Sequence, residues 1–359
     1  MPKVCGGLRS DKVDHLGTIN VLLTAIGCPG GVSIIRSLRA CPDIRIIGTD
    51  MRLDCAAKYM VDEFYQVPPG TTTGFIKKLL YIVNTRRIDV VLPLATFELL
   101  NLSQNISKFH ECGCEVCVSR YDDLKIVNNR CLLFREFRDR PYIPKYLKVT
   151  VGDMIEEYAR EFGYPDKKVV IKPYTSHGSI GLRVIDDSID MYENYRNNKP
   201  NSICIDMKTA KRIFEGREVT DIMMTEYLPG KEYGVDLMIH PDTHEILGGV
   251  VRDNGVVFHS EVSGGRIIDD PEIYGIAEEI ASSMSLAYTI NMDFKMDEHK
   301  KPKLLEINPR LPATQQLAKA AGINMPVLSV KLALGMDVEI GTTHIGQKIY
   351  SYRDFLTMR

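Results

Sequence analysis

The 359-residue chain carries almost no net charge: 45 Lys and Arg stand against 47 Asp and Glu, giving −2 at pH 7. That balance offers no electrostatic case for nucleic acid, and no RNA- or DNA-binding motif is present. No apolar run approaches the length needed to span a bilayer. The N-terminal stretch MPKVCGGLRSDKVDH also lacks the apolar core of a secretion signal. A cytoplasmic protein without nucleic-acid or membrane partners is the expectation. Internal repeats and low-complexity segments are absent as well. Nine cysteines, an odd number in a large chain, argue against a disulfide framework. Cys112, Cys114 and Cys117, with His110 nearby, invite a zinc reading. However, Glu115 to Val118 reads as a short strand after a turn at Gly113, and no second cysteine pair follows at zinc-ribbon spacing. Structural thiols are the expectation there.

What is present is an ordinary globular composition, 44% hydrophobic and 26% charged, in a chain long enough for two or three cored units. Residues 1–17 read as a polar tail. Over 18–120, buried strands (Thr18 to Ala25, Ile44 to Gly48, Asp89 to Leu94) alternate with amphipathic helices (Val32 to Arg39, and one burying Phe75, Ile76, Leu79, Leu80 and Val83). This alternation predicts an α/β domain with a parallel sheet covered on both faces. A helical pattern over 121–138 leads into a mixed α+β region of two lobes over 121–335. Its smaller lobe spans about 145–225 and contains the strands Val169 to Pro173 and Ile222 to Tyr227. Strands at Tyr233 to Ile239, Glu245 to Arg252, Asn291 to Met296 and Lys303 to Asn308 follow. A helix is expected from Pro271 to Ala287 and another from about Gln315, with 336–359 as a C-terminal extension.

Leu304-Leu305-Glu306-Ile307-Asn308-Pro309-Arg310 is the stretch richest in chemistry. Strand alternation sends Glu306 and Asn308 to one face and Leu305 and Ile307 to the other, and Pro309 ends the ladder. Two oxygen ligands on one face suit Mg²⁺, which completes its shell with phosphate oxygens and water. Arg310 follows, placed to meet an anion bridged by that metal. Upstream, Lys172 ends a strand and enters a loop of small residues, Ser176-His177-Gly178-Ser179-Ile180-Gly181. Its glycines let amide N–H groups turn toward phosphate. This is not the Walker pattern, because the lysine precedes the glycines. Glu226-Tyr227-Leu228-Pro229-Gly230 then ends an apolar strand in a turn. Such a hinge offers backbone groups to an adenine edge, with Glu232 beyond it free to accept from ribose hydroxyls.

In this order the series resembles the ATP-grasp superfamily, most closely its carbamoyl-phosphate-synthase-like single-chain branch. The likeness runs from about Asn20 to Gly335 and includes TAIGCPGG, IIGTDM and AAKYMVDEFYQVP in the N-terminal unit. The resemblance implies a Rossmann-like pre-ATP-grasp domain followed by a two-lobed ATP-grasp domain. It implies Arg130 and Lys172 on the ATP phosphates, with Ser176, His177, Gly178, Ser179 and Gly181 as lid. Glu226, Tyr227 and Leu228 would hold adenine, and Glu232 the ribose. Asp293, Glu306 and Asn308 would be ligands of Mg²⁺ or Mn²⁺, while Lys172 and Arg310 would act on the transferred phosphoryl group. The chemistry implied is an ADP-forming carboxylate–amine ligase, with small-molecule carboxylate and amine as partners and a homodimer as the assembly to test. Leu311 to Gln316 departs from the Gly-rich stretch of many relatives, and His177 is bulkier than the usual lid residue, so the substrate does not carry over. Arg252, Arg266 and Glu261 are candidates for the acceptor carboxylate.

Two other readings compete. Gly27, Gly30 and Gly31 precede a helix, and Asp50 ends the next strand, as in a dinucleotide-binding protein. The glycine spacing departs from G-x-G-x-x-G, and the Lys172 and Glu306 motifs stay unused. A non-catalytic ATP-binding module would have lost a metal ligand or phosphate-binding base, yet Arg130, Lys172, Asp293, Glu306, Asn308 and Arg310 are all present. A whole carbamoyl phosphate synthase would need two ATP-grasp halves, and this chain has room for one.

Overall fold

The computed structural model describes residues 17–175, 178–197, 203–258 and 261–352. Five short apolar strands open the chain: β1 (Ile19–Leu23), β2 (Ile44–Asp50), β3 (Glu63–Gln66), β4 (Val90–Leu92) and β5 (Glu115–Val116). They form one sheet in the order β3-β2-β1-β4-β5, with every pairing parallel. Helices α1 (Gly31–Leu38), α2 (Thr73–Arg86), α3 (Thr96–Gln104) and α4 (Ile106–His110) supply the crossovers. Strand alternation splits the sheet's side chains between two cores. Leu22, Ile47 and Val91 meet α2 and α3 on one face, while Val21, Leu23, Ile46 and Val90 meet α1 on the other. Burial on both faces is why these strands read as unbroken apolar runs.

The helix expected over 121–138 is two helices, α5 (Tyr121–Val127) and α6 (Arg130–Glu136). Asn129 makes the break. Its side-chain oxygen accepts the N–H groups of Cys131 and Leu132 at 3.1 and 3.2 Å, satisfying donors that a helix start leaves free. Arg130 thereby becomes the first residue of α6.

A second sheet forms the small lobe: β6 (Tyr146–Val151), β7 (Val169–Pro173), β8 (Arg183–Ile185), β9 (Cys204–Ile205) and β10 (Glu218–Glu226), ordered β6-β10-β7-β8-β9. Helices α7 (Ile155–Arg160), α8 (Met191–Asn197) and α9 (Met207–Phe214) accompany it. Val149, Ile155, Ile171, Met207 and Met224 make its own core.

The third sheet is antiparallel throughout: β11 (Glu232–Ile239), β12 (Ile246–Phe258), β13 (Glu261–Ile268), β14 (Tyr288–Met296), β15 (Pro302–Asn308) and β16 (Lys348–Tyr350). Its order is β15-β14-β11-β12-β13-β16. Helix α10 (Pro271–Ser282) packs on it through Ile273, Ala277 and Ile280 and stops five residues short of the expected Ala287. The terminal helix is divided into α11 (Gln316–Ala320) and α12 (Met325–Ala333). β16 comes from the stretch expected to be an extension and pairs with β13 at the sheet edge.

One register differs from simple alternation. Asp293 faces Glu306, but the next residue, Phe294, faces Leu304, so Leu305 is an extra residue in a bulge. Leu304 and Ile307, not Leu305 and Ile307, are the buried pair. Glu306 and Asn308 still share the opposite face.

Candidate functional site

β14 and β15 bring four polar side chains to one patch, with Asn291 opposite Asn308 and Asp293 opposite Glu306. The Asn308 amide nitrogen donates to Glu306 Oε1 at 3.0 Å, Asn291 Oδ1 at 3.2 Å and Asp293 Oδ2 at 3.3 Å. Three oxygens thus converge on a point where a positively polarised group sits. Two carboxylates plus amides are the hard-oxygen donor set that Mg²⁺ or Mn²⁺ takes, so these residues fit such an ion.

Cations surround the patch. Arg130, at the start of α6, pairs with Glu306 Oε2 and donates to the Pro173 carbonyl at 3.2 Å. Its own N–H bonds Tyr174 O at 2.9 Å, tying α6 to the end of β7. Its Nε is buried without a partner among the described residues. Lys172 on β7 is 7% exposed, and among the described residues its ammonium has no hydrogen-bond or ion-pair partner. Burial first, and the Arg130 charge second, lower its pKa from 10.5 to about 8, against the pull of Glu306. Burial opposes the charge on Glu306 too, but Arg130 and the Asn308 amide outweigh it and hold that carboxyl below its usual range. Asp293 goes the other way. Burial raises it to about 6 although Arg252 opposes the rise.

Arg252 is not at an acceptor site. It is 2% exposed beneath the patch, bonding Asp236 Oδ2 at 3.3 Å, Asp293 Oδ1 at 3.2 Å and Asn254. Asn291 completes this layer by donating to Asp236 Oδ1 at 2.9 Å. A charge on an apolar-flanked strand reads as a solvated strand end, whereas here the buried carboxylate of Asp236, on the preceding strand β11, neutralises it. Arg266 is exposed on β13. Asn291 and Asp236 were missed in the sequence. Asn291 was findable, because it lies two residues before Asp293 and so shares its face.

Arg310 turns toward the N-terminal domain. Its Nε bonds Thr96 Oγ1 at 3.0 Å, Nη1 bonds Leu311 O at 2.9 Å and Nη2 reaches Asn308 Oδ1 at 3.4 Å. The stretch after it docks domains. Gln315 and Gln316 donate to Ser33 O at 3.1 and 2.7 Å and both bond Ser37 Oγ, so their amides are committed to α1. A Cβ on Gly30 would come 2.9 Å from Ala313 Cα, so the glycine turn lies against this stretch. Asp50 is committed as well: Oδ2 accepts Gly27 N–H at 2.7 Å and Oδ1 accepts Arg52 N–H at 2.8 Å. Neither the turn nor the acid is presented as a dinucleotide site requires.

In the small lobe, Gly178 and Gly181 have φ of +60° and +77°, and Ser179 has +59°. These conformations turn the loop sharply beyond Lys172. Ser176 and His177 lie outside the described residues. At the hinge, β10's ladder ends at Glu226, whose carboxylate accepts Lys145 N–H at 2.8 Å. Tyr227 stacks under the Lys168 ammonium at 5.7 Å, Leu228 is buried, and Glu232 pairs with Lys295 at 2.8 Å. Of the remaining candidates, Cys114 and Cys117 are buried in separate cores, while Cys112 is exposed. His110 pairs with Glu115 at 3.2 Å. Among the described residues no helix is long and apolar enough to cross a membrane.

Two family models match the chain. Residues 218–353 match "ATP-grasp in the biosynthetic pathway with Ter operon", and residues 21–117 match "PylC-like, N-terminal domain". A comparison with curated proteins finds no match. Among solved structures, N5-carboxyaminoimidazole synthetase from Staphylococcus aureus with ADP superposes with a TM-score of 0.65. It is 14% identical over 90% of this chain and 78% of that one. The biotin carboxylase domain dimer of Hydrogenobacter thermophilus 2-oxoglutarate carboxylase, with MgADP, ADP and bicarbonate, gives 0.64 at 16% identity, over 91% and 73%. Biotin carboxylase from Campylobacter jejuni gives 0.61 at 14% identity, over 89% and 71%. At these identities the likeness establishes the fold: a parallel-sheet domain followed by two lobes that face each other across the Lys172 and Glu306 patch.

Proposed function

Since the chain has the ATP-grasp fold, we propose that it is an ATP-dependent, ADP-forming ligase that activates a carboxylate and passes it to an amine. The observation that carries this reading is Lys172. A buried ammonium without a protein partner is costly, and it is sustained when an anionic ligand completes its environment. Arg130, with its buried Nε unpaired, makes the same demand beside it. Phosphate oxygens of ATP answer both.

In this reading Arg130 and Lys172 hold the phosphates, under the loop of Gly178, Ser179 and Gly181, to which Ser176 and His177 belong by sequence. Backbone groups of Glu226 to Leu228 take the adenine edge, Tyr227 flanks it, and Glu232 shares its carboxylate between Lys295 and the ribose. Asp293, Glu306 and Asn308 hold Mg²⁺ or Mn²⁺. The chemistry these three residues would bring to the site is that of a hard divalent cation, which would offset the negative charge developing on the γ-phosphoryl group. Arg252 and Asp236 keep Asp293 aimed from below. Arg310 meets the transferred phosphoryl group from the acceptor side. A substrate carboxylate oxygen attacks the γ-phosphorus and ADP leaves. The amine nitrogen then attacks the carbonyl carbon and inorganic phosphate leaves. No protein nucleophile is needed, because positioning and charge do the work.

The substrates are small molecules, and the homodimer draws support from the dimeric biotin carboxylase domain, with light scattering as its check. The ligase reading is tested by phosphate release from MgATP across a matrix of amino acids and small carboxylates. Release that needs one carboxylate and one amine together is the expected result. Tight NADH binding with no nucleotide-dependent turnover would refute it.

A further inference from the structure

A cavity of about 390 Å³ opens where the N-terminal domain meets the antiparallel sheet, and none of the residues placed at the ATP patch lines it. Its volume is at the small end of ligand cavities, which favour such domain junctions. Ile106, Val116, Val118 and Leu332 give it an apolar wall. Arg120, just before α5, and Asp122, on α5, stand exposed at its rim. Neither side chain has a hydrogen-bond or ion-pair partner among the described residues. Asp242, from the turn between β11 and β12, adds a second carboxylate to the rim. By contrast, Glu115 is held by His110 at 3.2 Å, and His244 Nδ1 bonds Leu286 O at 3.0 Å. Two residues of the lining, Tyr288 and His244, have φ of +62° and +59°, in the left-handed region that such side chains rarely enter. These conformations persist only where surrounding contacts impose them, so the wall is built rather than a gap that relaxation would close.

An unpaired guanidinium favours a carboxylate, which it meets with two parallel N–H donors. A simple anion would also meet the charges of Asp122 and Asp242, and a simple amine would leave Arg120 unmatched. A molecule with an ammonium beside its carboxylate answers both demands, and the apolar wall suits a hydrocarbon side chain. The cavity also stands at the start of two elements that lead to the ATP patch. α5 begins at Tyr121, which lines the cavity, and is followed by Asn129 and Arg130. β14 begins at Tyr288 and runs on to Asn291 and Asp293. Ser119 ties the two starts together, because its Oγ accepts Ala287 N–H at 3.0 Å and donates to Ala287 O at 3.4 Å. We propose that this cavity is a regulatory site for an α-amino acid with an apolar side chain, and that its occupancy changes the affinity of the patch for nucleotide. The carboxylate of the amino acid lies on Arg120 and its ammonium on Asp122. Such a ligand touches both domains, so it stabilises the arrangement of them that it fits and shifts the population toward it. The regulation rests on the function proposed above, whereas the binding site does not.

The test is calorimetry of the full chain without nucleotide, with L-leucine, L-methionine and L-phenylalanine as probes. Isocaproate and isoamylamine, which each lack one of leucine's two charges, are the controls. At least one of the amino acids is expected to bind, and both controls more weakly by about tenfold or more. Arg120→Gln and Asp122→Asn replace exposed, unpaired side chains, so the circular dichroism spectrum should not change. Each is expected to weaken amino-acid binding by a similar factor. Saturation with the amino acid should shift MgADP affinity by about fivefold or more in the wild type and not in the variants. No binding of any of the three would overturn the site. So would binding that either variant keeps, because the amino acid then sits elsewhere on the protein. Binding at the cavity that leaves MgADP affinity within about twofold would overturn the regulation. A wild-type protein that binds no MgADP at all removes the ligase reading and the regulation with it, while the site still stands or falls on the two variants.

Discussion

Replacing Lys172 by methionine is expected to make the protein more stable and to remove its affinity for ATP. Burial and the Arg130 charge lower the lysine's pKa from 10.5 to about 8. At roughly 1.4 kcal/mol per pKa unit, holding the charge costs the native state about 3 kcal/mol at pH 7. Methionine keeps an unbranched stem on β7 and carries no charge. The sign follows from proton counts. The unfolded chain keeps the proton up to its pKa of 10.5, while the native state releases it at about 8. Between those values the unfolded state binds more protons, so wild-type stability rises with pH. The advantage of the methionine variant is therefore full below pH 8, shrinks through that window and vanishes above 10.5. The chain has no tryptophan, so urea denaturation is best followed by circular dichroism. The variant should gain about 3 kcal/mol at pH 7 and only about 1 kcal/mol at pH 9.5, while binding of a fluorescent ADP analogue is lost. A variant that is less stable at pH 7, or a gain that ignores pH, would refute the account of Lys172 as an unpaired buried charge.

Three further outcomes follow from the same patch. Glu306→Gln should leave the circular dichroism spectrum unchanged and abolish Mg²⁺-dependent ADP formation; undiminished turnover would sink the metal assignment. Arg252→Met strands the fully buried Asp236 without its cation and should cost about 3–5 kcal/mol in chemical denaturation, with a loss under about 1 kcal/mol counting against the buried network. Calorimetry of MgADP binding in buffers of different ionisation enthalpy should show proton uptake at pH 8.5, where free Lys172 is mostly neutral. It should show proton release at pH 5.5, where the Asp293 carboxyl, raised to about 6 by burial, must ionise to meet the metal. The same sign at both pH values would contradict the roles given to these two groups.

What could be read from the sequence was set by short-range rules. Glu306 and Asn308 lie two apart on a strand, and Lys172 ends one, so strand geometry alone puts them at an edge where ligands are met. The parallel sheet was legible for the same reason, since strands buried on both faces must be apolar throughout. What stayed hidden depended on partners distant in sequence. The Leu305 bulge exists because Phe294 and Leu304 seek the same core, which the pattern of one strand does not display. Arg252 looks like a surface charge until Asp236 and Asp293 are beside it. Nothing in the stretch Leu311 to Gln316 shows that α1 lies beneath it and uses the amides of both Gln315 and Gln316. Glu98 is the clearest case. Within an amphipathic helix a glutamate reads as solvent-facing, and only the fold lays Thr24 and the ends of two strands over it.

These hidden partners also give the proposed site its direction. On the phosphate side the unpaired groups are cationic, Lys172 and the Arg130 Nε. A polyanionic nucleotide satisfies both at once. Arg310 lies beside the patch, bonded to Asn308 on one side and to Thr96 of the N-terminal domain on the other. The docking of Gln315 and Gln316 onto Ser33 and Ser37 matters for this reason: it holds the two domains in register on either side of Arg310. Loosening that contact should impair coupling to the amine before it impairs the binding of nucleotide.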